Sequence, residues 1–314
     1  MSRGPVRNAV EYAGFRVAQG AVRLLPEPAA QALGGGLGWV AGMVARIRRL
    51  DVDAHLALAF PERPPAWRRR VARASYLHLG REAAVLLRMA SMSAEEIRAR
   101  TTVEGMEALE EALAGGKGAI LAAAHLGNWE IGAALLAARG VPLDVVVKRM
   151  GNPRFDRVLM EARRRLGVGT MEFSEAPPLV LRALRRGRVV ALAGDQNMHR
   201  GGIFVPFFGK EAATARGPAL FALRTGAPLF LAFPLREEGR RPRYRMVLRR
   251  LEAPREVGSA RSTREATEEQ VRRITLAYME ALEEAVRAHP EQYFWQHRRW
   301  KTRPGQEPGP GDAV

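Results

Sequence analysis

Gly118-Ala-Ile-Leu-Ala-Ala-Ala-His125-Leu-Gly-Asn-Trp-Glu130-Ile131 decides how the rest of the chain is read. Its apolar run of small residues reads as a buried strand, ends at His125, turns through Gly127 and Asn128, and enters an Ala- and Leu-rich helix. An imidazole then stands at the C-terminal end of a strand with a carboxylate in the next helical turn. In open α/β sheets the ligand cleft lies outside those strand ends.

Downstream, strands alternate with helices. The pattern predicts strands at 119–124, 143–148, 169–173, 189–193, 228–234 and 244–251, and helices at 129–139, 154–166, 177–186, 216–225 and 262–289. This is the signature of an α/β fold with a mostly parallel central sheet flanked by helices. Upstream, residues 8–50 read as two helical segments broken at Pro26-Glu27-Pro28. A short helix stops at Pro61, a long one spans 66–89, and a short strand at 101–104 leads into a helix at 105–114. The organisation predicted is an all-helical, membrane-associating N-terminal region over residues 1–100, an α/β domain over 101–304, and a disordered tail over 305–314.

Composition limits the chemistry. With 314 residues the chain can bury a sizeable core, and its hydrophobic fraction of 47% excludes wholesale disorder. It has no cysteine, which removes disulfides, thiolate nucleophiles and cysteine-ligated metals. The net charge of +17 suits an anionic partner such as nucleic acid, phospholipid headgroups or an acidic carrier protein, although arginine on solvated helix faces also accounts for such an excess. No signal peptide is read at the N-terminus. Ala29 to Ala45 is about 17 residues without a charge, at the lower edge of what crosses a bilayer. Its many glycines and the following Arg46, Arg48 and Arg49 favour a helix lying at or dipping into the interface, with an ordinary glycine-rich packing helix as the alternative.

Several motifs fail on context. Gly115-Gly116-Lys117-Gly118 precedes a strand instead of following one and has Gly where a phosphate loop needs Ser or Thr, so it reads as a helix stop and turn. No second histidine accompanies His125 at zincin spacing, so no metal is assigned, and no nucleophile elbow is present. What is left is an acid/base pair. A neutral His125 backed by Glu130 can deprotonate a hydroxyl, whereas a lone histidine after a strand is often merely structural. Arg149 and the pair Asp195-Gln196 also fall at strand ends.

His125-Leu-Gly-Asn-Trp-Glu130 resembles the histidine–four residues–acid motif of membrane glycerolipid acyltransferases, in the glutamate variant of the bacterial lipid A late acyltransferases. Other blocks resemble that family in the same order: Ala57-Leu-Ala-Phe-Pro61, Arg149-Met-Gly-Asn152-Pro153-Arg-Phe-Asp156, Asp195-Gln196, Val205-Pro206-Phe207-Phe208-Gly209 with Ala213-Thr214, and Pro290 to Pro304. The resemblance implies transfer of a fatty acyl chain from acyl carrier protein, or acyl-CoA, to a hydroxyl of an anionic glycolipid, a lipid A precursor foremost. It implies the cytoplasmic face of the inner membrane and no cofactor. It makes His125 the general base and Glu130 the group that orients it, with either His125→Ala or Glu130→Ala lowering turnover at least about a hundredfold. Asn128, Arg149, Asp195 and Gln196 become substrate-binding candidates. Arg149 is the first candidate for the oxyanion donor, the N–H groups at the Asn128 helix start the second. Phe207 and Phe208 either wall an acyl channel or pack the core. Tyr293, Trp295 and Trp300 lie at a membrane interface or dock on the sheet. Another glycolipid or a lysophospholipid is the alternative acceptor. A nucleic-acid-binding protein is the remote rival; it would gather arginine on one face, whereas arginine here is spread over every segment.

Overall fold

In the computed structural model, which describes residues 4–239, 241–252 and 264–305, the quoted stretch forms the central strand β2 (Ala119–Ala123) and helix α7 (Trp129–Ala138). Before it come α1 (Pro5–Leu24), α2 (Glu27–Trp39), a π-helical turn (Val40–Val44), α3 (Arg49–Ala59), α4 (Pro65–Met89), α5 (Ala94–Ala99), β1 (Thr101–Glu104) and α6 (Met106–Ala114). After it come β3 (Leu143–Val147), α8 (Pro153–Arg165), β4 (Gly169–Glu172), α9 (Ala176–Arg185), β5 (Val189–Ala193), β6 (Ile203–Phe207), β7 (Lys210–Thr214), α10 (Gly217–Thr225), β8 (Leu229–Arg236), β9 (Tyr244–Leu251) and α11 (Arg264–Ala288). The tail assigned to 305–314 lies, beyond Gly305, outside the described residues.

Among the described residues, seven strands make one sheet in the order β1-β9-β8-β2-β5-β3-β4. Every neighbouring pair is parallel except β8–β9, so the mostly parallel sheet predicted from the alternation is present. Strand β2 shows why it sits in the middle. Ile120, Ala122 and Ala124 enter the core on one face and Ala119 and Leu121 the core on the other, following the two-residue period of a strand. Burying Ile120 and Leu121 contributes about 1.5–3 kcal/mol each. β6 and β7 form a separate antiparallel hairpin, which the sequence reading did not contain. Its turn holds Phe208 and Gly209 at positive φ.

Among the described residues no helix is long and apolar enough to cross a membrane. The glycine-rich segment packs instead on α4. A Cβ at Gly34 would stand 2.5 Å from the carbonyl oxygen of Gly80, and one at Gly38 would stand 2.1 Å from that of Tyr76. Only glycine lets the two backbones approach so closely. The outer side of this region stays apolar, with Val10, Val17 and Leu24 of α1 and Leu37, Val44, Ile47 and Leu50 after it all exposed.

The C-terminal segment 290–302 docks on the sheet. Tyr293, Trp295 and Arg299 are buried, Leu126 bridges to Tyr293, and Phe294 N donates to the His125 carbonyl at 3.0 Å. Phe207 and Phe208 pack in the core with Tyr293 and Trp295.

Candidate active site

Sheet register builds the site. Ala123 of β2 is paired with Ala193 of β5, so the residues two further along each strand, His125 and Asp195, arrive side by side at the C-terminal edge. His125 Nδ1 lies 2.8 Å from Asp195 Oδ1, and the His125 backbone N–H donates to Asp195 Oδ2 at 2.9 Å. With Nδ1 donating to the carboxylate, Nε2 keeps its lone pair, and the Gln196 amide lies 3.1 Å from it. The Trp129 ring meets the imidazole edge to face at 4.7 Å.

The turn after His125 is fixed from several sides. Gly127 has φ +69°, and a Cβ there would fall 1.9 Å from the Pro234 oxygen, so no other residue fits. Asn128 N donates to that same oxygen at 3.0 Å, and the Asn128 side chain caps α7 by accepting from Ile131 N at 3.0 Å. Its amide in turn donates to Glu82 Oε2 at 2.6 Å. Glu82, on α4, also accepts from Tyr244 at 2.6 Å and from Arg236 at 2.7 Å, and Arg236 reaches Gln31 of α2 at 2.9 Å. A buried polar network thus ties the N-terminal helices to the turn that carries His125.

Glu130, in the first turn of α7, has its oxygens engaged by Arg163 of α8, at 3.0 Å and 2.5 Å in a two-pronged pair. Both partners are buried. Burial opposes charging His125, but the Asp195 carboxylate, its hydrogen bond and the charge of Glu130 outweigh it and hold the imidazole above its ordinary value. Burial would likewise raise Asp195. The His125 charge, hydrogen bonds from His125 and the Arg299 charge hold it low instead. His297, whose Nε2 accepts from Asn197 N at 2.8 Å, is pushed down to about 4, chiefly by burial.

Behind this edge a cavity of about 670 Å³ runs between the sheet and α7. Its deeper wall is apolar, from Leu121, Ala133, Leu136, Leu143, Val145 and Met246, while His125, Glu130, Arg163 and Gln196 stand where it turns polar. Small residues on β2, α7 and β5 (Ala123, Ala133, Ala191) leave the room. No group of three metal-ligating His, Asp or Glu side chains occurs among the described residues.

Of the residues predicted from sequence, His125, Gln196 and Glu130 line this cavity, while Asp195, buried behind the imidazole, holds the place on His125 Nδ1 that the resemblance gave to Glu130. Asn128 is buried as the cap of α7, and Arg149 lies exposed, paired with Glu172 at 2.6 Å; neither lines the cavity. Arg163, Trp129 and His297 are site residues that the sequence reading missed.

A family model for bacterial lipid A biosynthesis acyltransferases matches residues 6–302. The chain belongs to that family. Among curated relatives, the phosphatidylinositol mannoside acyltransferase of Mycolicibacterium smegmatis is 31% identical over 73% of this chain and 76% of its own length. The lipid A biosynthesis lauroyltransferase of Escherichia coli K12 is 29% identical over 89% of this chain and 88% of its own. The myristoyltransferase of the same organism is 26% identical over 86% and 80%. This acyltransferase therefore shares its fold-spanning sequence pattern with enzymes named for acylating two different glycolipids.

Proposed function

We propose that this acyltransferase moves a fatty acyl group from acyl carrier protein, or from coenzyme A, to a hydroxyl of an anionic glycolipid at the cytoplasmic face of the inner membrane. The observation that carries the reading is His125, held through Nδ1 by Asp195, with Nε2 at the mouth of an apolar cavity of about 670 Å³. That cavity suits a hydrocarbon chain, and the edge where it turns polar suits a thioester.

In this reading the acceptor hydroxyl displaces the Gln196 amide from Nε2 and gives up its proton there as its oxygen attacks the thioester carbonyl. Asp195 fixes the tautomer and stabilises the imidazolium. The tetrahedral oxyanion collapses by expelling the thiolate, which takes the proton back from His125. The products are an ester and a free thiol, and the imidazole is neutral again. No acyl-enzyme is needed, because a thioester is already activated. Glu130 supports the charge on His125 through space while it holds Arg163 against the cavity. The first N–H groups of α7 are the preferred oxyanion donors, since the helix starts within the turn that carries His125 and its N-terminal end favours negative charge. Arg149 remains the alternative donor only if its loop moves when substrate binds.

The net charge of +17 fits all three expected partners: the acidic carrier, the anionic acceptor and the membrane surface. Exposed apolar residues on α1, α2 and the turn after them, with Arg16, Arg23, Arg46 and Arg48 among them, support docking in the membrane plane without a span. Both glycolipid classes named for the relatives, lipid A and phosphatidylinositol mannoside, are candidate acceptors, with a lipid A precursor first.

The test is transfer of a labelled chain from acyl carrier protein to a panel of these lipids in mixed micelles. His125→Ala is expected to cut turnover by about 10²- to 10⁴-fold. Undiminished transfer by that variant would overturn the mechanism.

A further inference from the structure

A second cavity, of about 810 Å³, lies outside the sheet between α1, α2 and α4. Its volume falls in the range of roughly 300–1,000 Å³ typical of sites for small lipophilic molecules. Ala21, Leu33, Leu37, Leu79, Ala83 and Leu87 give it a nearly continuous apolar wall. The backbone-to-backbone crossing of α2 and α4 at Gly34, Gly38 and Gly80 leaves its floor free of long side chains. Leu33 and Leu37 are exposed along its open side, within the same apolar surface that α1 and the turn after α2 present.

What this cleft is for follows from its inner end. Asn197, His199 and His297 line it there, and the same three residues line the His125 cavity. The two apolar spaces thus converge on one polar neck. Beside that neck stand Arg48, Arg298 and Lys301. Arg48 and Arg298 share the single carboxylate of Asp51, so the two arginines carry one positive charge more than that carboxylate offsets.

We infer that the cleft between α1, α2 and α4 holds a hydrocarbon chain of the acceptor lipid, with its anionic headgroup against Arg48, Arg298 and Lys301 and its hydroxyl delivered to His125 through the neck. The inference rests on the acyl-transfer reading and adds where the second substrate sits. Transfer between two lipophilic molecules requires their reacting groups to meet while their chains point apart. One chain enters beneath the sheet and the other lies between the helices. The open side along Leu33 and Leu37 admits the acceptor sideways from the membrane surface, so it need not leave the bilayer entirely.

The test uses the full chain in detergent micelles and two photoreactive probes, each with a diazirine at the end of one acyl chain. The first is phosphatidylinositol and the second an acyl coenzyme A. In the wild-type protein the phosphatidylinositol probe should label peptides covering 33–38 and 76–87, and the coenzyme A probe peptides covering 119–147. Ala83→Trp fills the cleft from an exposed position on α4 and should lower the first labelling at least tenfold relative to the second. Leu37→Glu, at the open wall, should do the same and serves if the tryptophan variant fails to fold. Phosphatidylinositol labelling confined to 119–147, or spread along the outer face of α1 and unchanged in both variants, would overturn the inference. Failure of the coenzyme A probe to label 119–147 would remove the acyl-transfer reading, and the inference with it.

Discussion

The cavity beneath the sheet and the cleft between the N-terminal helices meet at Asn197, His199 and His297, yet they are built from opposite materials. Beneath the sheet, titratable groups are buried and paired: His125 with Asp195, Glu130 with Arg163. Between the helices the wall is apolar, the floor is glycine, and charge appears only at the neck. Strand register can place two side chains to within a few tenths of an ångström, which proton transfer requires, whereas a sliding hydrocarbon chain needs only a smooth groove. On the proposed reading, proton transfer falls to the rigid sheet with the acyl chain beside it, and the acceptor's chain to the helices that pack against it.

The sharpest way to break this division is at the imidazole's partner, after the loss of His125 itself. His125 must be neutral to accept a proton, and Asp195 and Glu130 hold its pKa above the ordinary value of about 6.5. Activity should accordingly rise with pH through an inflection above that value. Asp195→Asn removes the nearest anion, so the imidazolium becomes less favourable and the inflection moves to lower pH. Turnover falls at the same time, by about 10²- to 10⁴-fold, because tautomer and imidazolium both lose their support. Profiles of kcat/KM against pH for both proteins check the point. An inflection that stays in place would mean that a group other than His125 titrates. Labelling of the helical cleft should be the same in both.

Glu130 and Arg163 test whether the second buried pair belongs to the chemistry or to its scaffold. Arg163→Leu leaves a buried carboxylate without a partner and should destabilise the fold by about 3–5 kcal/mol. Removing both charges, as Glu130→Leu with Arg163→Leu, should restore much of that stability, since a buried pair gains little over apolar packing. Thermal melts read the stability and steady-state rates read the chemistry. If the double variant melts like wild type yet transfers acyl groups more than about tenfold more slowly, the charge of Glu130 acts on His125 as well as on Arg163.

How much of this was legible in the sequence depends on the range of the interaction. The β2–α7 turn was readable because apolar run, Gly127, Asn128 and helix follow one another directly. Asp195 could be placed at a strand end, but not on His125 Nδ1, because that contact follows from β2 and β5 being neighbours in the sheet, which no local pattern encodes. The same holds for Arg163. It is one of three consecutive arginines at the end of α8, and only the packing of that helix shows which of them turns inward to Glu130. The hairpin β6–β7 was missed because Pro206 and the pair Phe207-Phe208 interrupt the alternation a strand normally shows. The glycines of α2 are compatible with a membrane-dipping helix and with close packing alike. Gly80, on a helix far along the chain, shows the close packing by meeting Gly34, while Leu33 and Leu37 on the other side of α2 stay exposed.

Arg149 is the mildest test and bears on the boundary between site and surface. It follows β3 at the same sheet edge as His125 and Asp195, which is why position alone makes it a candidate for the oxyanion. Its side chain is nevertheless about three-quarters exposed (73%) and already bonded to Glu172. A donor worth several kcal/mol in a transition state must be fixed and shielded from water, and a solvated guanidinium is neither. Exposed ion pairs of this kind often contribute nothing measurable, so Arg149→Ala should leave the melting temperature unchanged and alter kcat/KM by less than about threefold at low salt. A loss of about a hundredfold or more in kcat, with KM unchanged, would show that the loop after β3 closes over the thioester and carries Arg149 into the site during turnover. The edge of the His125 cavity, whose wall already holds β3, would then have to be redrawn to include the loop after that strand.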